Sequence, residues 1–143
     1  MNRRALQITM SLLGAIPVIT GVLTMLGLAD PIYASAHLPR SVLLDSNLRF
    51  FGGTWLGLGL AAWWLVPAIE KRGTEFRILW GMIFLGGAGR ALSMILTGMP
   101  PAPFIGFTIL EILGAPLLIA WQYRIAKQPK VAINGKGIPH EHF

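Results

Sequence analysis

Cysteine is absent from this sequence. That excludes a disulfide, a thiolate metal site and a cysteine nucleophile, and it removes the usual clue to redox compartment. Histidine is scarce as well, with only His37, His140 and His142. Two of these stand in Pro139-His140-Glu141-His142-Phe143, which reads as a chain end, so no metal is expected. Charge is the third deficit. Charged residues make up 13% of the chain against 54% hydrophobic, and the mean hydropathy is +0.62, outside the balance of a soluble domain. Such an apolar share calls for lipid as the solvent. No Ser-His-Asp set, His-Glu-x-x-His pair or phosphate-binding glycine loop is recognisable, so the sequence offers no catalytic apparatus and identifies no cofactor.

What is present is a set of four apolar runs: Ala5 to Leu28, Leu48 to Ile69, Phe76 to Thr97 and Phe104 to Ala126. Each has about the ~20 residues that cross ~30 Å of hydrocarbon as a helix. The pattern predicts an all-α fold, an integral membrane four-helix bundle over residues 1–127, followed by a flexible basic cytoplasmic tail over 128–143. Arg3 and Arg4 before the first run, and Ala34-Ser35-Ala36 after it, resemble a signal peptide. The run is longer than a signal core of ~7–15 residues, however, and is expected to be retained.

Orientation follows from the basic residues near the run ends. Arg3, Arg4, Lys71, Arg72, Arg77, Arg124, Lys127, Lys130 and Lys136 fall on one side, and only Arg40 on the other. Positive charge marks the cytoplasmic side, so both termini are expected there, in a bacterial inner membrane. The formal charge of +6 thus reports topology, and no nucleic-acid partner is expected. Trp63, Trp64, Trp80, Trp121 and Tyr123 lie near the cytoplasmic ends of their runs, as an interfacial aromatic belt would.

Apart from Arg77 and Arg124 at the basic ends of their runs, three charged residues lie inside the runs: Arg49, Arg90 and Glu111. A charge at the bilayer centre costs about 2.5–3.5 kcal/mol on insertion scales, so each needs a partner or a polar interior. Arg90 and Glu111 each stand about seven residues, or roughly 10 Å, from the outer ends of their runs, which places them at matched depth for an ion pair. Asp45 precedes Arg49 by four, the favourable acid-before-base order on a helix. Gly53 and Gly57 stand at GxxxG spacing, with Gly52 and Gly59 beside them and Arg49 above, and the third run carries Gly86, Gly87 and Gly89. These glycines are read as packing positions, and the Gly53–Gly57 face is expected to look inward. Two readings stay open: Asp45–Arg49 and Arg90–Glu111 are structural ion pairs, or Asn47, Arg49, Arg90 and Glu111 line one outward-facing ligand cavity.

The segment Leu44-Asp45-Ser46-Asn47-Leu48-Arg49-Phe50-Phe51-Gly52-Gly53-Thr54-Trp55-Leu56-Gly57, with Gly86-Gly87-Ala88-Gly89-Arg90-Ala91-Leu92-Ser93 and Glu111, resembles the bacterial membrane family called domain of unknown function 4345. The resemblance covers about residues 5 to 127 and implies a four-helix inner-membrane protein with no assigned activity. The function expected from the residues is non-catalytic binding of a small amphipathic or lipid-like ligand. The alternative is an accessory subunit that packs against a larger membrane complex, or a homo-oligomer. A lipid-modifying enzyme or a transporter component is disfavoured, because Arg90 facing Glu111 works against acid–base use and no inverted repeat is apparent.

Overall fold

The computed structural model describes residues 2–34 and 39–127. The tail expected over 128–143 lies outside the described residues, as does His37. The described chain is all-helical. Helix α1 (Arg3–Thr24) starts at Asn2, whose side chain accepts from the Arg4 amide at 3.0 Å, satisfying one of the donors a helix start leaves open. It gives way to a 3-10 turn, Gly27–Ala29, and a one-turn helix α2 (Pro31–Ala34). Gly27 has φ +65°, and a Cβ there would stand 2.1 Å from Asp45 Oδ1, so both backbone and space require glycine.

Helix α3 (Val42–Leu65) begins earlier than its apolar run, because Ser41 caps it by accepting from the Leu44 amide at 3.3 Å. Helix α4 (Gly73–Thr97) stops at Gly98, at φ +107°, ahead of Pro100 and Pro101. The fourth span is not one regular helix. It runs as α5 (Ala102–Ile109), a π-helical turn over Leu110–Gly114, and α6 (Ala115–Ala126). Pro116 cannot donate to the carbonyl four residues before it, and its ring crowds that carbonyl, which accounts for the widened turn just ahead. All four spans, Arg3–Thr24, Val42–Ala68, Gly73–Thr97 and Ala102–Ala126, are long and apolar enough to cross a membrane.

The spans form two hairpins. Helix α1 packs chiefly on α3, and α4 chiefly on the fourth span, with sparser contact between the pairs. Backbone-to-backbone approach seals the first hairpin. A Cβ on Gly21 would meet Leu56 N at 2.6 Å, one on Gly52 would meet Met25 N at 2.6 Å, and one on Gly59 would meet Val18 N at 2.8 Å. The packing glycines are therefore Gly52 and Gly59 against Gly14 and Gly21. Gly53 and Gly57, the GxxxG pair, have nothing within 4 Å. The expectation that they form the packed face is corrected: seven-residue spacing keeps a seam on one side of a helix, and the seam runs one residue away.

The hairpins meet in a core near the α3–α4 turn, built from Leu6, Met10, Leu65, Ile69, Phe76, Leu79, Trp80, Leu118 and Ile125. Trp80 is buried there, 6.2 Å from the Phe76 ring, and so belongs to the core instead of an aromatic belt. The same end is stitched by side chains that cap the last carbonyls of the α3 region. Gln7 donates to Val66 O at 2.8 Å, Arg3 to Pro67 O at 2.9 Å, Gln122 to Ile69 O at 2.9 Å, and Arg72 to Trp64 O. A helix end leaves its final carbonyls without intrahelical donors, and here three other segments supply them. Gln122, 1% exposed, is thus a buried polar side chain whose amide is satisfied by the Ile69 carbonyl.

Candidate functional site

Away from this stitched end the hairpins do not fill the space between them. A cavity of about 580 Å³ remains, bounded by all four spans and by Tyr33 of α2. Helix α1 contributes Ile16, Thr20 and Thr24; α3 contributes Leu48, Phe51, Thr54, Trp55 and Leu58. The opposite wall is Met82, Ile83, Gly86 and Arg90 from α4, with Phe104, Phe107 and Glu111 from the fourth span. Aromatic and aliphatic surface with a few convergent polar groups is the usual make-up of a small-molecule site.

The polar groups on the α1–α3 side are largely occupied. Thr20 accepts from Trp55 Nε1 at 2.9 Å, and Thr24 donates to Asp30 Oδ2 at 3.0 Å. Asp30 is fully buried. The other wall holds the ion pair: Arg90 Nε lies 3.1 Å from Glu111 Oε2, with Glu111 5% exposed and the Arg90 side chain 38% exposed. Two local features bring them together. The π turn carries Glu111, and Gly87 lets α4 approach so closely that a Cβ there would stand 2.7 Å from Glu111 Cβ. The contact is one of charge more than of alignment, since Glu111 Oε2 is buried without a hydrogen-bond donor among the described residues. Phe104 lies beside the Arg90 guanidinium, 5.8 Å from ring centroid to Cζ.

Arg90 also borders a second cavity of about 370 Å³, reaching toward the α4–α5 loop. Its wall includes Ser93, Thr97, Gly98, Phe104 and Thr108. Arg90 and Phe104 are shared by both chambers.

Arg49 and Asn47 are elsewhere. Arg49 donates from Nε to Asp45 Oδ2 at 2.7 Å and from Nη1 to Met25 O at 3.0 Å. Asp45 in turn accepts from the Leu28 amide at 2.9 Å. These contacts tie the start of α3 to the end of α1. Neither Arg49 nor Asn47 is on the wall of either chamber, and both are exposed. Of the four residues singled out for one cavity, Arg90 and Glu111 are together and the other two are not.

Sequence reasoning missed Asp30, Tyr33, Trp55, Phe104 and Phe107. The signal for two was legible: Phe104 and Phe107 stand with Glu111 at i, i+3 and i+7, one helix face. For Asp30 there was none, because a buried acid just past a run reads as ordinary loop polarity. No group of three or more metal-ligating side chains occurs among the described residues.

Fold and site together define an all-α protein of four membrane-length spans, folded as two hairpins around a cavity with one ion pair in its wall. The chain belongs to the family described as "Domain of unknown function (DUF4345)", whose model matches residues 5–122. That match takes in all but the first two residues of α1 and runs through most of α6, the ion pair included. No curated protein and no solved structure matches the chain significantly.

Proposed function

We propose that this chain is a multi-pass protein of a bacterial inner membrane that binds, without catalysis, one small amphipathic or lipid-like molecule between its hairpins. The supporting observation is the cavity itself, an apolar and aromatic chamber with Arg90 and Glu111 on one wall. Its volume lies within the ~300–1,000 Å³ common to sites that enclose one small ligand. On this reading Arg90 and Glu111 touch the ligand, whereas Asp45 and Arg49 clamp α3 to α1. Mass spectrometry of the full chain released from nanodiscs tests it. A retained small molecule is expected, and it should be lost when Gly86→Trp fills the chamber. Retention unaffected by that substitution would refute the site.

Both termini and the Glu70–Glu75 turn are cytoplasmic in this proposal, on the strength of the basic-residue asymmetry. Alkaline phosphatase fused within residues 31–44 should be active, and fused after Ala126 inactive; the reverse result would invert the topology.

The accessory-subunit reading has one observation in its favour. Gly53 and Gly57 present an open small-residue face that no part of the described chain covers. Co-purification of a larger membrane complex, lost on Gly57→Leu, would favour it.

A further inference from the structure

The hydrogen-bonding groups left open where the two chambers meet define the head group that would fit there. This inference rests on the binding reading above and refines it. Charge comes first. Arg90 and Glu111 are the oppositely charged residues on the wall of the larger chamber, and the smaller one adds no further charge. The site is therefore neutral as a whole. Arg49, which would have left a positive surplus, is engaged by Asp45 and off both walls.

Hydrogen-bond valence comes second. A guanidinium carries five N–H donors, yet among the described residues none accepts a well-aligned hydrogen bond from Arg90, whose ion-pair contact with Glu111 is from Nε at 3.1 Å. Glu111 Oε2 is buried and lacks a donor. Thr97 donates to Ser93 O at 2.7 Å and accepts from Ser93 Oγ at 3.2 Å, which leaves it one lone pair, and Thr108 donates to Phe104 O at 2.9 Å. Each threonine has thus committed its proton to backbone, and offers its remaining acceptor capacity to the chamber. Donors at Arg90 stand beside acceptors at Glu111, Thr97 and Thr108. An occupant that satisfies all of them must both accept and donate.

We propose that the occupant is a single-chain amphiphile with an uncharged, hydroxyl-bearing head, the chemistry of an alkylglycerol. The chain lies in the larger chamber among Phe51, Trp55 and Phe107. Oxygens of the head accept from Arg90, and its hydroxyls donate to Glu111 and the threonines. A fully deprotonated head without hydroxyls accepts but cannot donate, and any anionic head places an uncompensated charge beside buried Glu111; an alkylammonium donates but cannot accept, and adds a like charge beside Arg90.

The test uses the full chain in phosphatidylcholine nanodiscs, photo-crosslinked with a diazirine-tailed hexadecylglycerol. Hexadecylglycerol, hexadecyl phosphate and hexadecylamine compete. Hexadecylglycerol should compete at concentrations about tenfold lower than either charged analogue, roughly the discrimination one unmatched buried polar contact gives. Glu111→Gln, which leaves Arg90 uncompensated, should shift the preference to hexadecyl phosphate. Should that variant not fold, Ser93→Ala/Thr97→Val keeps the ion pair and should weaken hexadecylglycerol several-fold. A wild-type protein that prefers the phosphate or the amine, or a folded Glu111→Gln with unchanged order, overturns the proposal. Crosslinks on the cavity wall without head-group preference overturn it but leave the binding reading standing. Absence of crosslinks on that wall overturns both.

Discussion

Gly87 and Glu111 are in direct contact: a Cβ built on Gly87 would stand 2.7 Å from Glu111 Cβ and 3.1 Å from Ile112 Cγ1. This approach puts the Glu111 carboxylate within reach of Arg90, three residues further along α4. Gly87→Ala should therefore push the fourth span off α4 and loosen the ion pair, at a cost of about 1–3 kcal/mol, the usual range for overpacking. Gly89→Ala enters open space and should change stability little. Thermal unfolding in detergent compares the two; equal shifts would mean that the contact does not set the helix spacing.

The α1–α3 seam makes a second comparison within one helix. Gly52→Ala brings a methyl onto Met25 N and the Thr24 carbonyl carbon, which are backbone and cannot rotate away. Gly53→Ala meets nothing. The first should be destabilised by at least about 1–3 kcal/mol and the second should unfold like the wild type. If Gly53→Ala alters the size of the particle on a sizing column, its face is covered by another chain.

Arg49 separates clamp from ligand contact. It bonds Asp45 and the Met25 carbonyl at the end of α1, where a cation also meets the negative pole of the helix. Arg49→Gln is expected to lower the unfolding temperature while leaving retention of the bound molecule intact. Full stability with lost retention would move Arg49 into the binding site.

For Arg90 and Glu111 the expected signature is non-additivity. Arg90→Met leaves buried Glu111 without its counter-charge and Glu111→Leu leaves the partly exposed Arg90 unpaired, so each should cost about 1–3 kcal/mol, the first the more. The double substitution replaces both by apolar groups and should cost less than the sum of the singles, and less than Glu111→Leu alone if the chamber repacks. Strictly additive losses would show that the two side chains do not act as a pair.

The four spans, their approximate limits and the pairing of Arg90 with Glu111 could be read from the chain because they follow from local rules. About twenty apolar residues make a span, and two costly charges at equal depth seek each other. Asp45 and Arg49 were equally legible, being one helical turn apart. The GxxxG pair misled for a reason that is also physical: spacing places Gly53 and Gly57 on one face but does not say which face has a neighbour, and Gly52 and Gly59 satisfy the same helical geometry nearly as well.

By itself, then, the sequence determined an all-α chain of four membrane-length spans, with Arg49, Arg90 and Glu111 set inside its apolar runs where each needs a partner. Tertiary structure alone decided that α1 pairs with α3 through Gly14, Gly21, Gly52 and Gly59, and that the hairpins join at Phe76 and Leu65 but part at Arg90. It also decided that Arg49 looks back to Met25 and away from the cavity. Hydropathy acts on each residue independently and is blind to azimuth. Which side of a helix is buried depends on the contours of its neighbours, and those exist only after the helices have packed.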